Sequence, residues 1–390
     1  MKIGFVSGAY LPAPGGVTTS VVNFSEQLRE LGHEVVVFCP EYPDEETLEK
    51  EGVRRIKSYY SPLLKDFRLT DPLRAARAFR KEFSELDVVH IHLPTIMSTP
   101  ARWVANYFDI PVFLTYHTNL ELYIRHYVPG VPRNVARSLA RFYTSRETKS
   151  GEKIFVPSPD MKELLGTYEL EPPIEVLPTG IDLGLYDSGR DSSRSLREQF
   201  GIGEEEKVLL YVGRVGSEKN VGFLLDAFQR ISRSFSPVHF VIVGGGRGLG
   251  KVLSSVSKMQ ASRVIHFTGY VEDEEVLAGY YQEADVFLFA SLTETQGLVI
   301  AEALAAGTPV VAVDAPGVRD VLARGEGGYL VPEELNHFSD KVLELLGDPE
   351  LLAKKSSEAK RAARKYSARN MGKKLLDSYL RVVEGEEVKK

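Results

Sequence analysis

The stretch from Val286 to Val313 restricts what this chain can fold into more than any other. Val286–Phe289 is a short, wholly apolar run suited to a buried strand. A polar turn follows, then an apolar helix over Leu298–Ala306 that Gly307 and Pro309 stop before a second apolar strand, Val310–Val313. A strand, a loop, a helix and a strand in this order belong to a parallel α/β sheet. The turn places Glu294, Thr295, Gln296 and Gly297 ahead of Leu298, at a helix start where unpaired backbone N–H groups favour an anion. Glu302 lies about five residues into the helix, roughly 7.5 Å along it at ~1.5 Å per residue. Two carboxylates, Glu294 and Glu302, thus flank a site that suits the phosphate of a sugar nucleotide.

The same pattern recurs along the chain. Ile3–Ser7 reads as a buried strand, Gly8–Gly16 as a loop, Val17–Leu31 as an amphipathic helix and Glu34–Cys39 as the next strand. This opening predicts a Rossmann-like domain with Gly15 and Gly16 at the carboxyl end of its first strand. The loop lacks G-x-G-x-x-G, which disfavours NAD, and the alternative is that the two glycines only make the turn. Further strands are expected at Val88–His92, Val112–Tyr116, Ile154–Val156 and Ile174–Leu177, with a helix over Pro100–Tyr107. His117 falls just past the second of these strands. His90 and His92 alternate with Val89 and Ile91, which marks them as buried strand histidines, and no thiol or carboxylate at suitable spacing makes them a metal site.

Pro178-Thr179-Gly180-Ile181-Asp182 marks a domain boundary, and the polar run Asp187–Arg197 an exposed start to the second half. Strands then recur at Val208–Val212, Phe240–Val243 and Val264–Phe267, with helices at Asn220–Ser234 and Arg247–Gln260, before the strand at Val286. At 390 residues the chain exceeds one hydrophobic core. The expected architecture is α/β, with two Rossmann-like domains whose parallel sheets face across a cleft. Residues 1–178 form the first domain and 179–365 the second, and 366–390 form a terminal helix that returns to the first.

Forty-eight Lys and Arg against 54 Asp and Glu give a formal charge of −6, which argues against nucleic acid as a partner. Charge is unevenly spread, however. The segment between Val53 and Lys81 is strongly basic, Lys65 included, and Leu122–Ser150 carries Arg125, Arg133, Arg137 and Arg141 interleaved with Tyr123, Tyr127, Leu139, Phe142 and Tyr143. Such a segment either lies on an anionic leaflet or packs its aromatics inward beneath solvated arginines. Cys39 is the single cysteine and ends an apolar run, as a core residue would. The N-terminus lacks the pattern of a signal peptide, and no apolar run reaches the ~18 residues of a spanning helix. A cytoplasmic location is expected, peripheral to the inner face of the membrane.

Three more loops follow predicted strands. Gly213–Asn220 sets Arg214 and Lys219 where both reach one diphosphate, Gly244-Gly245-Gly246 permits close backbone approach, and Gly269-Tyr270-Val271 is placed to meet a base. Taken in order, the Gly15-Gly16 loop, His117, the Arg214 and Lys219 pair, and Glu294 with Glu302 resemble the GT-B glycosyltransferases of the large retaining family 4, over almost the whole chain. The resemblance implies that Arg214 and Lys219 bind the donor diphosphate and that Glu302 binds the ribose. It assigns Glu294, with the backbone at Gln296, Gly297 and Leu298, to the transferred sugar, which His117 also contacts. It further implies a nucleotide-sugar donor, with Gly15, Gly16, Gly244, Gly246 and Val271 also lining its site, and no cofactor or metal, in keeping with the lack of a D-x-D motif. Glu294-Thr295-Gln296-Gly297-Leu298 and Tyr116-His117-Thr118 are similar to bacterial diacylglycerol glucosyltransferases, where Gln296 replaces the aromatic of many other members. That implies UDP-glucose as donor and a lipid acceptor at an anionic membrane surface. A soluble acceptor, GDP-mannose as donor, and a non-catalytic sugar-nucleotide binder stay open beside it.

Overall fold

The structure is a computed structural model that describes residues 1–13, 15–42, 51–60, 68–128, 130–187, 195–322 and 325–385, without the side chains of His126 and Tyr127. Lys65 and most of the polar run at 187–197 therefore lie outside the described residues. The chain divides into two compact units, Met1–Gly180 with Ala368–Lys390, and Ile181–Ser367.

In the first unit the strands are β1 (Lys2–Ser7), β2 (Glu34–Pro40), β3 (Val53–Ile56), a small antiparallel pair β4 (Ser58–Tyr60) and β5 (Arg68–Thr70), β6 (Val88–Leu93), β7 (Val112–Tyr116), β8 (Lys153–Val156) and β9 (Ile174–Val176). Seven of them form one parallel sheet in the order β3-β2-β1-β6-β7-β8-β9. Side chains alternate between its faces. Val36 and Phe38 join Val89, Ile91 and Leu93 in one core, while Val35, Val37 and Cys39 join Ile3, Phe5 and Val88 in the other. The helix Ala368–Val383 covers this second face with Met371, Leu375 and Tyr379, spaced four residues apart along one side. His90 and His92 are odd-one-out polar groups on that same face.

The second unit continues with β10 (Lys207–Val212), β11 (Val238–Val243), β12 (Ile265–Gly269), β13 (Val286–Phe289), β14 (Val310–Val313) and β15 (Gly328–Val331). They form a parallel sheet in the order β12-β11-β10-β13-β14-β15 around a single apolar core. An isolated bridge between Ile181 and Ser367 ties the two ends of the unit together.

The sequence reading misses β3, β4, β5 and β15, and among the helices Glu274–Glu283, and it overextends the helix at Arg247–Gln260, which spans Leu249–Val256. β3 and β15 are four-residue edges of the large sheets and β4 and β5 have three residues each, too short for a periodic signal, and Arg54, Arg55 and Arg68 interrupt the apolar pattern of β3 and β5. The missed helix did carry a signal: Asp273 caps it by accepting from the backbone N–H groups of Glu275 and Val276, with Glu274 and Glu275 in its first turn. Past Val256, Ser257 and Lys258 give the shorter helix no apolar face to extend.

Candidate active site

Strand order brings the chemistry of the second unit together. β10 pairs with β13, although β11 and β12 lie between them in sequence, so the chain leaves in opposite directions from these two neighbours. The loops at their carboxyl ends therefore meet at the position where open α/β sheets bind ligands. One loop carries Arg214 and Lys219, the other Glu294. Lys219 Nζ donates to Glu294 Oε1 at 2.5 Å, and both side chains are mostly buried. Burial alone would raise the Glu294 carboxyl, but Lys219, Ser291 and Arg214 outweigh it and hold it below the usual carboxylate range. Arg214 is more exposed and forms an ion pair with Glu218 at 3.1 Å. Glu218 went unremarked in the sequence, though its i,i+4 spacing from Arg214 was the signal.

Three loops are laced together beneath this pair. Gly213 N–H donates to the Val243 carbonyl at 3.0 Å, Val215 N–H to Gly245 at 2.7 Å, and Gly244 N–H to Gly269 at 2.8 Å. Gly244 and Gly246 both hold positive φ angles, of 124° and 145°, and Val271 packs against the core. On the Glu294 side, Gln296 is buried and Gly297 opens the helix Leu298–Ala306 with no side-chain cap. Gly317 was not singled out in the sequence. At φ 73° it lies so close to the Glu294–Thr295 backbone that a Cβ would meet the Glu294 carbonyl oxygen at 2.7 Å. The Glu294 loop is thus shaped by a neighbour more than twenty residues on.

Glu302 is partly exposed on the same helix. Tyr281 donates its hydroxyl to Glu302 Oε2 at 2.8 Å. Burial raises the Glu302 carboxyl, the Tyr281 hydrogen bond opposes that rise, and the charge of Glu274 adds to it.

In the first unit, Gly15 precedes the helix Gly16–Glu30 with φ 147°, and both glycines are exposed. His117 follows β7 and is buried, with its Nε2 2.9 Å from His92 Nδ1. The rings of His90, His92 and His117 stack in sequence, at 4.6 and 5.2 Å between centroids. His90 closes the row by hydrogen bonds to Tyr379 and, at 2.7 Å, to Thr115. Burial pushes His117 down to about 3, and burial with the neighbouring His117 does the same to His90, so both rings stay neutral at physiological pH.

The basic helix Arg133–Thr148 has one side turned inward and apolar side chains turned to solvent on another. Ala136, Ala140 and Thr144 face inward, while Val135, Leu139 and Phe142, four and three residues apart, face solvent, Phe142 being 69% exposed. Its arginines are all exposed, though some are paired. Arg133 pairs with Glu121 at 3.0 Å and Arg141 with Glu169; Arg137 is exposed, as is Arg125 on the preceding helix Leu120–Tyr127. Among the described residues no helix is long and apolar enough to cross a membrane, and no group of three or more His, Cys, Asp or Glu is placed to hold a metal ion.

Comparison with known proteins gives this arrangement a family. The model of glycosyl transferases group 1 matches residues 192–366, and that of glycosyltransferase family 4 matches residues 14–185. The alpha-monoglucosyldiacylglycerol synthase of Acholeplasma laidlawii is 33% identical, with 98% of each chain covered. The synthase of the same name from Streptococcus pneumoniae is 30% identical over 97% of this chain and 86% of its own. A GDP-mannose-dependent alpha-mannosyltransferase of Mycolicibacterium smegmatis is 28% identical over 85% and 84%. Among solved structures, sucrose-phosphate synthase from Thermosynechococcus elongatus shares the fold, with a TM-score of 0.81 at 20% identity over 98% of this chain and 99% of its own. Two parallel sheets, the Lys219–Glu294 pair at the strand-order reversal and a full-length likeness to glycosyltransferases lead to one assignment: the chain belongs to the GT-B glycosyltransferases of family 4.

Proposed function

We propose that the chain transfers glucose from UDP-glucose to diacylglycerol, with retention at the anomeric carbon. The observation that carries this reading is the 33% identity over 98% of each chain to an alpha-monoglucosyldiacylglycerol synthase. An α-linked donor that yields an α-glucoside keeps its configuration. In the proposed step the bond from the sugar C1 to the diphosphate oxygen breaks, and its electron pair leaves with the nucleotide. Arg214 and Lys219 stabilise that charge, and the acceptor hydroxyl oxygen bonds to C1 as its proton passes to the departing phosphate or to solvent. Glu294, kept ionised by Lys219, and the backbone at Gln296, Gly297 and Leu298 hold the sugar as it gains oxocarbenium character. His117 contributes a neutral hydrogen-bonding ring, and Glu302 takes the ribose hydroxyls. No metal takes part in this reading.

The full-length protein, incubated with UDP-, GDP- and ADP-sugars with and without diacylglycerol vesicles, is expected to form α-glucosyl diacylglycerol from UDP-glucose, also in EDTA. Products identified by mass and anomeric configuration decide the matter. Product from GDP-mannose alone, or from a soluble acceptor alone, would overturn the assignment.

Access to a lipid acceptor fits the outward stripe of Val135, Leu139 and Phe142 beside Arg125 and Arg137. The protein is expected to float with anionic vesicles at low salt, and Leu139→Ser with Phe142→Ser to lower the bound fraction roughly tenfold. Wild-type protein that stayed at the bottom of the gradient would remove the case for surface docking.

A further inference from the structure

We propose that Tyr281 is a positioning residue for Glu302, fixing the rotamer and the ionised state in which that carboxylate accepts the ribose hydroxyls of the donor. The inference rests on the proposed ribose-binding role of Glu302 and adds a second residue to it. Tyr281 lies on the helix Glu274–Glu283, and its side chain is fully buried. Aromatic rings wall it in: Phe287 lies 5.5 Å away between centroids and Tyr186 6.5 Å, edge-on. A phenol hydroxyl in such a setting needs a partner, and here it is Glu302 Oε2 at 2.8 Å. The backbone of Tyr281 is fixed as well, since Thr308 Oγ1 donates to its carbonyl at 2.5 Å.

The direction of the hydrogen bond follows from the chemistry of the pair. Burial, and then the charge of Glu302, push the Tyr281 hydroxyl well above its ordinary value, so it remains a donor at any physiological pH. A carboxylate offers about four lone-pair sites, and Tyr281 occupies one, leaving the rest to the partly exposed edge of Glu302. The charged and titratable groups that face Glu302 are Tyr281 and Glu274 from the helix Glu274–Glu283 and Tyr186 from the helix Gly184–Asp187. Burial and Glu274 favour the neutral acid, and Tyr281 favours the anion. Removing its hydroxyl therefore both frees the rotamer and moves the Glu302 carboxyl further up.

The test uses the full-length protein with UDP, 2′-deoxy-UDP and 3′-deoxy-UDP in calorimetry, and UDP-glucose in kinetics. Wild type should bind UDP more tightly than either deoxy analogue. Glu302→Ala should bind all three alike. Tyr281→Phe should shrink the gap without closing it, raise KM for UDP-glucose about three- to tenfold with kcat within about twofold, and move the acid limb of kcat/KM to higher pH. Each gap compares ligands on one sample, so a loss of folded protein cancels. If Tyr281→Phe kept the wild-type gap, KM and acid limb while Glu302→Ala lost its gap, the positioning role would fail and the ribose reading stand. If Glu302→Ala kept the full gap, the ribose reading would fall and take the positioning role with it.

Discussion

Glu294→Gln is expected to lower kcat by about a thousandfold, and Lys219→Met by a similar factor, with the double variant far less impaired than the product of the two. The pair is mostly buried and linked at 2.5 Å, so each single change leaves the other group uncompensated. The pH response separates the two. In wild type the Glu294 carboxyl lies below its unfolded value, so its contribution to stability is complete above that value and is lost as pH falls through the folded one. Lys219→Met removes the largest opposing influence and lets burial raise the carboxyl. Glu294 in that variant then contributes less stability above its unfolded value than it does in wild type. Thermal melts from pH 7 down to about pH 3, set beside rates with UDP-glucose, check both statements. Undiminished turnover in either single variant would remove the pair from the chemistry.

Gly244→Ala is expected to destabilise the protein by about 3 kcal/mol or more, while Gly245→Ala changes it by less than about 1 kcal/mol. A Cβ at Gly244 would stand 2.1 Å from the Gly213 carbonyl oxygen, and its φ of 124° suits only glycine. At the adjacent Gly245 a methyl group would meet nothing within 4 Å, and the backbone holds no such φ. The Gly213 carbonyl belongs to the loop that carries Arg214, so any relaxation of the clash moves the cation-bearing segment. Chemical denaturation of the three proteins, followed by donor binding in the folded fraction, measures both effects. Equal stability of the two variants would refute the close packing of these loops.

Elements bounded by strong local signals were legible in the sequence. The strand Val286–Phe289, the helix Leu298–Ala306 and the strand Val310–Val313 occur as read, because each is apolar and ends at Gly, Pro or a polar turn. Partnerships across the sheet were not. Lys219 meets Glu294 only because β10 and β13 are neighbours, and Tyr281 meets Glu302 only because two helices pack, neither of which any spacing encodes. Alternation along β6 placed His90 and His92 on one buried face, yet Tyr379, the partner of His90, is 289 residues distant. The basic segment was legible as charge but not as pairing, since Glu121 and Glu169, which engage Arg133 and Arg141, flank it.

The helix Ala368–Val383 gives the chain an unusual order of completion. Met371, Leu375 and Tyr379 close a face of the sheet whose strands all lie before residue 180, so the whole of Ile181–Ser367 is an insertion within the first unit. On the ribosome the half that emerges first is the last to be finished, and it waits with apolar surface uncovered while the other is made. A proteolytic cut or a gene split at residue 180 yields a C-terminal fragment that carries a piece of its neighbour's core and an N-terminal fragment that lacks it.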